Sequence, residues 1–283
     1  MKQKILTLQT LYREGQIRLK DSGIEEYQLD AWYLLEYVTG ISKASYYGDP
    51  NRELSAAQAE EYRKCIEKRS ERIPLQHITG VQEFMGHEFF VNEHVLIPRQ
   101  DTEILVEHAL DKVEDGKKVL DICTGSGCIL LSILKRYQVQ GTGADISSEA
   151  LKVAERNRKH LALPQVEWLQ SDLFEKIEEK YDVIVSNPPY IQTGVIESLQ
   201  EEVRLHDPYI ALDGKEDGLY FYRRIIEDAK AYLEDGGWLL FEIGYDQAEP
   251  VTRLMEQAGY SEIHVKKDLS GLDRVAGARY NKN

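Results

Sequence analysis

The sequence has no apolar run approaching the roughly 18 residues that a membrane-spanning helix needs, and only three cysteines, Cys65, Cys123 and Cys128, in 283 residues. The first absence argues against a helical membrane protein. Met1-Lys2-Gln3-Lys4 leads into an amphipathic pattern and not into the apolar core of a secretory signal, so a cytoplasmic protein with no membrane partner is expected. Three thiols cannot all pair, and none stands in a C-x-x-C or histidine-accompanied pattern, so reduced cysteines and no metal site are expected. Positive charge is outnumbered: 35 Lys and Arg stand against 49 Asp and Glu. Up to Leu75 the chain carries 12 Lys and Arg against 12 Asp and Glu; beyond it 23 stand against 37, so the whole formal charge of −14 belongs to the later part. A surface of that sign repels polyphosphate over a Debye length, which disfavours nucleic acid as a direct partner. Internal repeats and low-complexity tracts are also absent. The 42% hydrophobic content is that of a globular protein with a real core.

Periodicity divides what is present into three stretches. In residues 1–73, Leu8, Leu11, Tyr12 and Leu19 within a predicted helix Lys4 to Lys20, then Leu29, Trp32, Leu35 and Val38, follow helical spacing. Asp30 is expected near the start of the second helix and Gly40 at its end. Ser42 is expected to cap a turn of helix through Tyr46, and Ser55 opens a helix running to about Arg72, where Ile73-Pro74 stops it. This small all-α domain contains no catalytic constellation, and Trp32, Tyr33, Tyr37, Tyr46 and Tyr47 read as core and rim aromatics. Residues 74–98 contain two short β-like runs, Glu83-Phe84-Met85 and Glu88-Phe89-Phe90-Val91, separated by Gly86-His87: a linking β-hairpin. From 99 to 283, strand and helix patterns alternate, as in a doubly wound α/β domain. Its first helix has Asp101 or Thr102 as the expected cap. His77, His87, His94 and His108 have no paired acid or nucleophile in sequence and read as structural.

Two motifs in the α/β stretch carry chemistry. Lys118-Val-Leu-Asp-Ile-Cys123 reads as a strand, Thr124-Gly125-Ser126-Gly127 as a turn, and the apolar run from Cys128 as a helix. Glycines let the backbone turn sharply and a ligand approach, while the helix start offers free N–H groups. The turn is not a complete G-x-G-x-x-G and lacks the Lys-Ser/Thr of a P-loop, so a nucleoside without a polyphosphate fits better. Asp145 ends the next strand 20 residues beyond Gly125, the distance at which an acid reaches ribose hydroxyls in this fold. Asp172 follows a third strand, placed to meet an adenine amino group, with Leu173 or Phe174 covering a ring face.

The second motif is Ser186-Asn187-Pro188-Pro189-Tyr190, at the tip of the strand Tyr181-Asp-Val-Ile-Val185. Two prolines offer no N–H and stiffen the corner, so it presents acceptors. With the Asn187 amide and the Tyr190 ring, it can hold a planar –NH2 between two acceptors against an aromatic wall. An amide nitrogen is a poor nucleophile because its lone pair is delocalised. If Asn187 Oδ1 and the Pro188 carbonyl each accept one N–H, orientation and exclusion of water supply what a simple base cannot.

In these motifs, together with Val95-Leu-Ile-Pro-Arg, Ala144-Asp-Ile-Ser, Ala211-Leu-Asp-Gly, Glu216-Asp-Gly-Leu and Phe241-Glu-Ile-Gly-Tyr-Asp-Gln, the chain resembles a known family over nearly its whole length. The family comprises the class I S-adenosylmethionine-dependent methyltransferases that modify the glutamine side-chain amide of peptide chain release factors. Cys123 stands where that family often has Gly, Gln100-Asp101 where Pro-Glu is usual, and Lys215 where a second Gly is common. The resemblance implies a Rossmann-like seven-stranded sheet with an antiparallel last strand. It further implies S-adenosylmethionine held by Cys123, Thr124, Gly125, Ser126, Gly127, Asp145, Asp172, Leu173 and Asn187. Asn187, Pro188, Pro189 and Tyr190 would bind the substrate, with Asn187, Pro188 and Tyr190 carrying the chemistry without a metal. The implied partner is a release factor with a GGQ-type loop, recognised by the helical domain of a monomeric enzyme. An Asn-Pro-Pro-Tyr corner also serves enzymes that methylate exocyclic amines of adenine or guanine; the acidic later part and the missing basic stripe favour a protein amide. A non-catalytic nucleoside-binding regulator is a further alternative, against which the intact acceptor corner argues.

Overall fold

The computed structural model describes residues 6–282; Met1 to Ile5, including the first two residues of the expected opening helix, and Asn283 lie outside the described residues. The chain divides into two compact units, residues 1–80 and 81–283.

The first unit holds α1 (Leu8–Asp21), α2 (Tyr27–Thr39), α3 (Lys43–Gly48), α4 (Ala56–Ser70) and α5 (Leu75–Thr79). Thr7 and Ser55 begin α1 and α4 with reciprocal caps: the hydroxyl accepts from the backbone three residues on, and the side chain found there accepts from the cap's own N–H. Gly40 stops α2 in the left-handed region, at φ 68°. Asp30, expected to help start α2, instead lies inside its first turn, buried and paired with Arg69 Nε at 2.7 Å. The start falls at Glu26, which makes no side-chain cap. Leu8, Leu11, Leu19, Trp32, Leu35 and Tyr62 fill the core. Gly15 permits the closest approach there, since a Cβ would lie 2.1 Å from Tyr62 Oη. Of the aromatics, Trp32 and Tyr46 are buried whereas Tyr33, Tyr37 and Tyr47 are exposed. Helix α5 lies in the stretch expected to be β-like: Pro74 opens it and Gly80, at φ 78°, closes it.

The second unit begins with the hairpin β1 (Val81–Phe84) and β2 (His87–Phe90). Its two-residue turn is Met85-Gly86, one residue earlier than expected; both have positive φ, 52° and 71°, which matches the twist of the flanking strands. A sheet then follows from β3 (Lys118–Ile122), β4 (Gln140–Asp145), β5 (Glu167–Gln170), β6 (Tyr181–Ser186), β7 (Leu233–Glu242), β8 (Ser261–Lys267) and β9 (Asp273–Arg279). The order is β5-β4-β3-β6-β7-β9-β8, with the first five parallel and β9 antiparallel to both its neighbours. This is the Rossmann-like seven-stranded sheet with an antiparallel last strand that the resemblance implied.

Helices α6 (Gln100–Leu110), α7 (Cys128–Arg136), α8 (Ser148–His160), α12 (Tyr220–Tyr232) and α13 (Ala248–Gln257) cover it, and the short α9 (Thr193–Ile196), α10 (Glu201–His206) and α11 (Tyr209–Leu212) lie in the connection from β6 to α12. Successive strand residues point to opposite faces, and both faces are covered, so the central strands carry apolar residues on both. Leu120, Ile184 and Phe241 pack with Tyr222 and Ile225 on one side; Val119, Val183 and Leu240 pack with Leu105, Ile129 and Ile133 on the other. Helix α6 starts after Arg99, not at Asp101 or Thr102, and has no side-chain cap. Its His108 is buried against His264 of β8, the two Nε2 atoms facing each other; burial and that neighbouring ring push His108 down to about 4. Among the described residues no helix is long and apolar enough to cross a membrane.

One buried amide fixes the parts around the ligand turn. Asn157 of α8 accepts from Phe90 N at 2.7 Å and donates to Phe90 O and Ser126 O at 3.1 and 2.9 Å. Every polar atom of this fully buried side chain is used, so hairpin, turn and helix are tied at one point.

Candidate active site

Strand order reverses at β3, with β4 on one side and β6 on the other, and a crevice opens beyond the carboxyl ends of the strands at such a point. A cleft lies there, bounded by the turn after β3, the end of β4, the loop after β5 and the corner after β6. Of the residues singled out from sequence, Cys123, Thr124, Gly125, Ser126, Asp145, Asp172, Leu173, Asn187 and Pro189 line it; Gly127, Pro188 and Tyr190 do not.

The turn after β3 is held from below. Thr124 donates its hydroxyl to Asp121 Oδ2 at 2.6 Å and its N–H to Ala144 O at 3.0 Å. Asp121 is fully buried, and burial raises it to about 7 against the lowering effect of Thr124. The two glycines do different things. At Gly125, φ 55°, a Cβ would meet nothing, so its backbone faces free space, whereas Gly127, φ 78°, starts α7 and would press a Cβ to 3.1 Å from Ala154. Cys123 also has a left-handed backbone, φ 61°, as does Lys215 at 70°. That conformation is the physical reason glycine suits both positions, and both side chains carry the strain of it. Burial pushes the Cys123 thiol far up, so it stays protonated.

Asp145, at the end of β4, accepts from Gly125 N through Oδ2 and from Ser147 N through Oδ1, both at 2.9 Å. Each oxygen keeps a lone pair for a ligand hydroxyl. Burial raises its carboxyl, with these backbone bonds pulling the other way. Asp172 is paired through Oδ1 with Arg224 Nη1 at 3.0 Å. Leu173, φ 50°, lines the cleft; Phe174 does not, and stacks on Tyr232 with ring centroids 5.0 Å apart.

The corner after β6 is anchored on both sides. Ser186 donates to Ile122 O at 2.7 Å, and the Tyr190 carbonyl accepts from Gln247 Nε2 at 3.0 Å. Asn187 is half-buried, with Nδ2 3.4 Å from Thr102 Oγ1. Thr102 donates to Glu242 Oε2 at 2.5 Å, and the Tyr190 hydroxyl donates to Glu242 Oε1 at 3.1 Å. Tyr190 therefore turns its polar tip toward Glu242, and burial beside that carboxylate pushes the phenol far up.

Sequence reasoning did not find Thr102 or Glu242 as site residues. Thr102 read as a helix cap, and nothing local signals a bond between residues 140 positions apart. It also missed His94, which lines the cleft, and Arg99, whose Nη2 lies 2.6 Å from the buried Asp207 beside the wall residues Pro208 and Ile210.

Two family models match the chain: one described as the PrmC N-terminal domain, over residues 10–80, and one described as a methyltransferase small domain, over residues 99–204. The chain is 40% identical over 264 residues to a release factor glutamine methyltransferase of Geobacter sulfurreducens, spanning 92% of both chains. It is 42% identical over 264 residues to the protein of the same description from Clostridium acetobutylicum, spanning 91% of this chain and 93% of that one. Among solved structures, a methyltransferase from Pyrococcus furiosus matches with a TM-score of 0.56 at 18% identity, over 76% of this chain and 100% of that one, a likeness of fold.

Proposed function

Because the chain belongs to the release factor glutamine methyltransferases, we propose that its cleft binds S-adenosylmethionine and receives the side-chain amide of a glutamine from a peptide chain release factor. The lining fits that cofactor: open backbone at Gly125, two carboxylate oxygens with lone pairs to spare at Asp145, and an apolar wall at Leu173. When bound, S-adenosylmethionine supplies a methyl group on a positively charged sulfur, an already activated electrophile.

The protein's own part is to make an amide nitrogen competent. Asn187 Oδ1 and the carbonyl of Pro188, which stands between the lining residues Asn187 and Pro189, each accept one N–H of the glutamine, which fixes the plane of the amide and the face it offers. The apolar lining around them withdraws water, so these two bonds are stronger than in solution. The proton lost from the nitrogen passes to solvent. The helical first unit, residues 1–80, recognises the release factor and does no chemistry. The enzyme acts as a monomer in the cytoplasm and does not bind nucleic acid directly.

The observation that carries the reading is the Asn187 side chain: half-buried at the cleft, with its Nδ2 end engaged by Thr102. Incubation with methyl-labelled cofactor and a purified bacterial release factor, followed by peptide mapping, tests it. Label on a glutamine side chain is expected. Label that enters nucleic acid and not the release factor overturns it in favour of an exocyclic-amine substrate.

A further inference from the structure

A side-chain amide has nearly the same shape in either orientation, so which end faces the cleft depends on the protons of its neighbours. Around Asn187 those protons can be counted. Glu242, buried at the end of β7, meets one hydroxyl at each oxygen: Tyr190 at Oε1 and Thr102 at Oε2. A carboxylate only accepts, and each hydroxyl has a single proton, so both protons are committed to Glu242. Thr102 Oγ1 is then left with lone pairs alone. Its other neighbour, 3.4 Å away, must be the NH2 end of Asn187. Oδ1 therefore faces away from Thr102. In the reversed orientation, Oδ1 would oppose Thr102 Oγ1 with no proton between them, and the NH2 would confront the N–H groups of the substrate.

We infer that Thr102 and Glu242 are positioning residues, which act through Asn187 by holding its amide with the oxygen toward the substrate. The inference rests on the reading of Asn187 as an acceptor for the glutamine amide. Three separate elements meet here, the first turn of α6, the end of β7 and the corner after β6, so the arrangement is a product of the tertiary fold. Burial raises the Glu242 carboxyl, while the two hydroxyls and the positive charge of Arg274, itself paired with Asp101 and Asp268, pull toward the ionised, accepting form. The acceptor character of Glu242 is the origin of the whole polarity: replace it with a group that donates, and every proton downstream can reverse.

That reversal supplies the test, made on the full chain with S-adenosylmethionine and a purified bacterial release factor. In Asn187→Asp alone, two carboxylates flank the one proton of Thr102. In Asn187→Asp combined with Glu242→Gln, the new amide at position 242 can donate to Thr102, whose proton then turns to the carboxylate at 187, leaving an oxygen there to accept from the substrate. The double variant is expected to turn over at least about tenfold faster than Asn187→Asp, although Glu242→Gln alone slows the native enzyme. Thr102→Val is expected to lower kcat about tenfold or more, with KM for the release factor and cofactor Kd within about twofold of the parent, and Thr102→Ser to restore it. A double variant no faster than Asn187→Asp, or a Thr102→Val enzyme with native kcat, overturns the inference. If melting shows Thr102→Val unfolded, the double-variant comparison decides. Asn187→Ala separates the two levels: native turnover there removes the acceptor reading itself, whereas an inactive Asn187→Ala beside a strictly additive double variant removes only the positioning role.

Discussion

Replacing Asp145 by alanine should separate what this carboxylate does for a ligand from what it does for the fold. Each of its oxygens accepts one backbone N–H at 2.9 Å, from Gly125 and from Ser147, yet its pKa still lies above that of ordinary aspartate because burial outweighs both bonds. A carboxyl whose folded pKa exceeds its unfolded value withdraws stability as pH rises through the unfolded value, so at pH 7 the charge weighs against the ligand-free fold. Alanine removes that charge but leaves two turn N–H groups without their acceptor, and the effects oppose. The melting temperature of the ligand-free protein should therefore move by only a few degrees. Cofactor binding has no such compensation: loss of a charge-assisted bond to a ribose hydroxyl costs about 1.5–3 kcal/mol, roughly ten- to hundredfold in Kd. Asp145→Asn, which keeps one acceptor, should fall between. Titration calorimetry with S-adenosylmethionine and a thermal melt of the same samples read both quantities. An unchanged Kd refutes the ribose role, and a collapse in melting temperature makes Asp145 a pin for the turn.

Asn187→Ala should lower turnover on a release factor at least about a hundredfold with cofactor affinity little changed, since orientation of the nucleophile is lost along with one bond; steady-state rates and calorimetry check it. His108, held near 4 in the fold against an ordinary 6.5, should make stability fall as pH drops from about 6.5 toward 4, because only the unfolded chain takes up the proton there. The slope integrates to about 3 kcal/mol, read by denaturant titration at each pH, and should be missing in His108→Gln. An enzyme beginning at Val81 should keep its cofactor Kd yet lose far more activity on intact release factor than on a short glutamine peptide; equal loss on both would mean that the first unit only supports the fold.

What could be read from sequence was what neighbouring residues determine among themselves. The caps at Ser42 and Ser55, the stop at Gly40, the alternation of strands and helices and the spacing from Gly125 to Asp145 are local signals, and the structure carries each of them. Short helices were harder: α5, α10 and α11 are six residues or fewer, too short for periodicity to reveal. The start of α6 was misplaced because Asp101 and Thr102 are good capping types, yet Thr102 spends its hydroxyl on Glu242. Tyr190 was legible as part of a site-like corner but not as a residue turned toward Glu242, for the same reason. Contacts of that kind depend on strand order, which no window of sequence contains.

The order of strands also sets a schedule. β9 lies between β7 and β8, pairing Ala276 with Phe241 and Val275 with Glu242 on one side and Ala276 with Val265 on the other. As the chain emerges from the ribosome, the helical unit and the parallel strands β3 to β7 can assemble while synthesis continues. The outer edge of β7 then stands open, and β8 has no sheet to join. Only when residues 273–279 slip between them does Glu242 gain its neighbour in the sheet. The nascent protein thus has the parallel part of its sheet to build before β9 can stand beside Glu242.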